Sequence, residues 1–118
     1  MSVFVFEPDL IFSSKLDGLS RLMGVEFRIF AELDEFMDAA YAEKPEALIV
    51  NLDVIKSDKL QTLLNVGIPV MGYYSHVHSE VARAAVQLGV GEVVTRGAFF
   101  ANSQSLVRGL LKFKKQGL

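Results

Sequence analysis

Cysteine is missing from this 118-residue chain. Disulfide staples, thiolate nucleophiles and cysteine-bound zinc are thereby excluded. A surplus of either charge is missing too. Twelve basic residues stand against fourteen acidic ones, a formal net charge of −2. That balance disfavours a broad electrostatic grip on nucleic acid. No apolar run approaches the roughly 18–20 residues of a membrane span. The start, Met1-Ser2-Val3-Phe4, lacks the basic stretch of a secretory signal. The expectation is a soluble cytoplasmic protein without a membrane partner. No repeat, linker or low-complexity segment interrupts the chain. What is present is ordinary for a globular domain: 51% apolar and 22% charged residues. Such a chain is long enough to bury a core as a single domain over residues 1–118.

Five short apolar runs alternate with amphipathic segments. The runs are Val3–Phe6, Phe27–Phe30, Ala47–Leu52, Val70–Tyr74 and Val93–Thr95. Their Val, Ile and Phe content predicts strands covered on both faces. Helices are predicted over Asp9–Met23, Leu33–Ala42, from Ser57 or Asp58 to about Gly67, from an N-cap at Ser79 to Gly89, and over Ser103–Lys115. The order βαβαβαβαβα predicts an α/β domain with a five-stranded parallel sheet and helices on both faces. The expected topology is doubly wound and flavodoxin-like, (βα)5, with strand order 2-1-3-4-5.

Such sheets bind ligands beyond the carboxyl ends of their strands. The residues there are Glu7, Pro8 and Asp9 after the first strand, then Asn51 and Asp53 after the third. Tyr74, Ser75, His76 and His78 follow the fourth, and Arg96 follows the fifth. Glu7-Pro8-Asp9 stands where a G-x-G-x-x-G phosphate loop would be, and no G-x-x-x-x-G-K-[ST] occurs. Gly89-Val90-Gly91 reads as a helix stop and turn. His76 and His78 read as polar loop residues, since only Glu80 offers a third metal ligand nearby. Neither metal nor cofactor is expected. The basic stretch Lys112-Phe-Lys-Lys115 reads as a solvated last turn that complements the helix dipole.

Three stretches carry a resemblance. They are Gly24–Phe30 through Asp34–Ala42 to Lys44-Pro45, then Ile68-Pro69-Val70, then Ala84–Gly97 (AAVQLGVGEVVTRG). In order and spacing the chain resembles a response-regulator receiver domain of the chemotaxis-regulator kind, over nearly its full length. The resemblance implies a phosphorylation site: two acids after strand one for Mg²⁺, an Asp ending strand three, a Thr or Ser ending strand four and a Lys ending strand five. A carboxylate nucleophile, carboxylates for a hard cation and a cation for the phosphoryl charge are what that chemistry needs.

Nearly every one of these positions is altered here. Counting from Lys44-Pro45 puts Asn51 at the phosphoacceptor position. The acid pair is reduced to Glu7 with Phe6 or Pro8, and Asp9 substitutes in part. Tyr74, followed by Ser75, takes the Thr/Ser position, where its bulk implies a locked conformation. Arg96, followed by Gly97, takes the Lys-Pro position. An amide is a poor nucleophile and brings no charge to Mg²⁺. The resemblance therefore implies a pseudo-receiver in two-component signal transduction: no enzyme, no catalytic residue, acting by protein–protein interaction with another signalling protein or with itself. The family's contact face comprises the fourth helix, fifth strand and fifth helix. Here it would include Val81, Leu88, Val93, Arg96, Leu106 and Leu110, reaching Phe113. Two alternatives stay open: a receiver phosphorylated on Asp53 with Mg²⁺, and a flavodoxin-like domain stacking a planar ligand on Tyr73, Tyr74, Phe99 and Phe100.

Overall fold

The computed structural model describes residues 1–116, with side chains through Lys112. The elements are β1 (Ser2–Phe6), α1 (Leu10–Met23), β2 (Glu26–Phe30), α2 (Leu33–Glu43), β3 (Ala47–Asn51), a 3₁₀ turn (Leu52–Val54), α3 (Ser57–Leu64), β4 (Val70–Tyr74), α4 (Ser79–Leu88), β5 (Glu92–Thr95), α5 (Arg96–Ala101) and α6 (Ser103–Gln116). All strand pairs are parallel, in the order β2-β1-β3-β4-β5. This is the doubly wound arrangement expected from the alternation of runs. β3 is buried at every position, as its unbroken apolar run requires.

Side chains alternate across a strand, so the sheet divides its residues between two cores. Phe4, Phe6, Leu48, Val50 and Val70 pack with α2, α3 and α4 through Phe36, Leu63 and Ala85. Val3, Val5, Ala47, Ile49 and Met71 pack on the other side with Leu16 and Leu19 of α1 and Val107 and Leu110 of α6. The helix ends follow local chemistry. Asp9 caps α1, its carboxylate accepting from the Ile11 and Phe12 amides at 2.8 and 3.3 Å. Gly89 closes α4 at φ 104°, a conformation that suits glycine. Gly72 in β4 has a different reason: a Cβ there would lie 2.5 Å from Cδ1 of Leu52. The missing side chain is what lets the 3₁₀ turn settle onto β4.

Two boundaries differ from the sequence expectation. The α4 helix begins at Ser79, so His78 rather than Ser79 holds the cap position. The His78 side chain makes no capping bond, because its ring is engaged elsewhere. The C-terminal segment holds two helices instead of one. Thr95 Oγ1 accepts from the Ala98 amide at 3.1 Å and starts the short α5. Phe99 and Phe100 belong to α5 and pack in the core beside Tyr73 and Phe12 and against Val107 and Leu110 of α6. The side chains of Phe113, Lys114 and Lys115 lie outside the described residues.

Candidate functional site

The strand parity that builds the second core continues one residue further at the carboxyl rim. Glu7 follows Val3 and Val5, Asn51 follows Ala47 and Ile49, and Tyr73 follows Met71. Polar side chains from β1, β3 and β4 are thereby brought together on one face. Glu7 is 2% exposed, Asn51 5% and Tyr73 0%. The Asn51 amide nitrogen donates to both Glu7 oxygens, at 3.0 and 3.2 Å. The Tyr73 hydroxyl donates to Glu7 Oε1 at 2.5 Å. The Asp9 amide donates to Glu7 Oε2 at 3.0 Å. The Glu7 backbone amide is tied to the Phe30 carbonyl at 3.0 Å, which fixes where the side chain starts. Among the described residues no buried side-chain polar atom lacks a partner, as a buried polar network requires. Burial pushes the Tyr73 hydroxyl far above its usual range, and its hydrogen bond to Glu7 pushes the same way. Both effects favour the protonated phenol, the form that donates to Glu7.

A second set of bonds continues outward. Asn51 Oδ1 accepts from the Asp53 amide at 3.0 Å. The Asp53 carboxylate accepts from the Ser75 amide at 2.8 Å and meets His78 Nδ1 at 3.0 Å. Asp53 is thus turned to the β4–α4 connection, holding that loop to the end of β3. His76 is exposed, and no group of three metal-binding side chains occurs among the described residues.

Of the residues singled out from the sequence, Glu7 and Asn51 meet directly. Asp9 joins them through its amide while its carboxylate caps α1. Pro8 is exposed. Tyr74 turns to the opposite face and packs half-buried on the α2–α4 core. Arg96 stacks its guanidinium 4.2 Å from the centre of the Phe12 ring. The residue that sequence reasoning passed over is Tyr73, weighed only as a stacking ring. Its signal was parity: two residues after Met71, it shares the face of Asn51, whose register partner it is. Its ring packs on Phe99, with centroids 5.1 Å apart, and Phe99 packs on Phe100. These rings serve the interior. Around the β5 edge, Val81, Leu88 and Val93 pack on one core and Leu106 on the other, while Leu110 is buried. Leu110 belongs to the second core.

A five-stranded parallel sheet in this order with helices on both faces is the fold of the response-regulator receiver domains. Comparison with solved structures gives the same answer. A receiver domain protein from Clostridium thermocellum superimposes with a TM-score of 0.86 at 13% identity, over 99% of this chain and 98% of that one. A CheY-like receiver domain protein from Methanospirillum hungatei JF-1 gives 0.85 at 11% identity, over 99% and 98%. A Francisella response regulator receiver domain gives 0.81 at 14%, over 94% and 96%. No family model matches the sequence, and no curated protein does. Among the described residues no helix is long and apolar enough to cross a membrane.

Proposed function

We propose that this chain is a pseudo-receiver: one receiver-like domain over residues 1–118 that acts in the cytoplasm by contact with another signalling protein, without phosphoryl transfer, catalysis or cofactor. The observation that carries this reading is the closed set of hydrogen bonds on Glu7. A phosphorylatable receiver needs a free carboxylate ending β3 and acids able to ligate a divalent cation. Here the β3 end offers the Asn51 amide, which carries no charge and is occupied as a donor. Both oxygens of Glu7 already have partners in Asn51, Tyr73 and the Asp9 amide. Asp53, the nearest alternative acceptor, is engaged by the Ser75 amide and His78.

The test is incubation of the purified protein with acetyl phosphate and Mg²⁺, followed by intact-mass spectrometry. The expected result is an unmodified mass. A phosphoryl adduct that disappears in Asp53→Asn would overturn the proposal in favour of an active receiver.

A further inference from the structure

Two helix surfaces have opposite character and lie on opposite sides of the sheet. On α1, Ile11, Lys15, Gly18 and Leu22 are exposed and recur at i, i+4, i+7 and i+11, so they share one face. Ile11 and Leu22 are 69% and 70% exposed. The Lys15 ammonium lies 5.3 Å from the centre of the Phe100 ring, and Arg96 rests on the neighbouring Phe12. Neither cation has a carboxylate within ion-pair distance among the described residues. Gly18 is unfavourable in a helix interior. Nothing lies within 4 Å of where its Cβ would be, so no packing inside the molecule accounts for it. The result is an apolar strip with a flat centre and two unpaired cations at the rim end.

The outer face of α2 is its complement. Asp34, Asp38 and Tyr41 are exposed at i, i+4 and i+7, with Glu35 beside them. No basic residue lies on this helix, and Tyr41 is 49% exposed. Both helices begin at the carboxyl rim, so the acids of α2 lie at the same end as Lys15 of α1 and Arg96, which rests on Phe12. Laid parallel, the two strips run in step: Asp38 falls opposite Lys15, and the Tyr41 ring falls opposite Gly18, where a side chain would obstruct it.

We infer that α1 of one molecule docks on α2 of a second copy. The two surfaces cover different cores, so one molecule cannot satisfy both itself. The contact is head-to-tail, and unless a ring closes it propagates. It is independent of whether Asp53 can be phosphorylated.

The experiment is sedimentation velocity across a concentration series at low and high salt, on the parent chain, Lys15→Glu and Asp38→Lys. The parent is expected to self-associate, less so at high salt, because exposed charges are screened within about a Debye length of 8 Å at physiological ionic strength. Each variant alone is expected to be monomeric. An equimolar mixture of the two should associate again, since each keeps the surface the other has lost. A symmetric interface through either helix would not show this rescue. A parent that stays monomeric, or a mixture that does, overturns the inference. Retained circular dichroism in both variants separates loss of contact from loss of fold.

Discussion

Replacing Tyr73 by Phe removes one oxygen and leaves the ring. The ring's packing on Phe99 at 5.1 Å is kept, so the change isolates the hydroxyl's bond to Glu7. Hydrogen bonds to charged groups contribute roughly 1.5–3 kcal/mol net, and an under-satisfied buried acceptor adds to the loss. Glu7 Oε1 retains Asn51 at 3.0 Å, so its desolvation is only partly exposed. A destabilisation of about 2 kcal/mol follows, or a fall in Tm of about 8 °C for a domain of this size. Urea unfolding should show a lower midpoint with an unchanged slope, because the buried area is the same. A variant within about 0.5 kcal/mol of the parent, the range of ordinary surface changes, would refute the reasoning. It would mean that the Glu7 network orders the rim without stabilising it.

Gly72→Ala should destabilise by about 1–3 kcal/mol, the usual cost of overpacking, since its Cβ would fall 2.5 Å from the Leu52 side chain. Adding Leu52→Ala should recover part of that loss, and strict additivity of the two in a double-mutant cycle would exclude the clash. The Tyr73 hydroxyl, raised by burial and then by Glu7, keeps its proton in the folded state where an unfolded tyrosine loses it, near pH 10. Above that pH the native state binds more protons than the unfolded one, so stability falls as pH rises. In Tyr73→Phe, urea midpoints measured from neutral to alkaline pH should fall less steeply.

The alternation of apolar runs and amphipathic segments carried the fold because burial dictates both periods. Val, Ile and Phe runs become strands covered twice, and Leu16 with Leu19 turns α1 inward. Asn51 was readable at the end of β3 by spacing alone. The partner it would find was not, since hydrogen bonds between β1, β3 and β4 depend on register, which sequence spacing does not state. Tyr73 and Tyr74 illustrate the difficulty: adjacent in sequence, they face opposite cores. The α5 helix was missed because its cap, Thr95, also reads as the end of a strand. Gly72 carried no signal until Leu52 was seen lying against it.

The row formed by Glu7, Asn51 and Tyr73 also answers a problem of alignment. Strands buried on both faces, such as Val3–Phe6 and Ala47–Val50, show little polar alternation to distinguish one sliding position from the next. Shifting β4 by one residue against β3 would turn the Tyr73 hydroxyl to the opposite core and leave a buried carboxylate short of a donor. A one-step shift of β1 would do the same to Glu7. Three polar side chains at the strand ends thus penalise misaligned sheets that the apolar residues alone would tolerate. In this chain the polar residues at the carboxyl rim serve as the index marks by which the strands find their place.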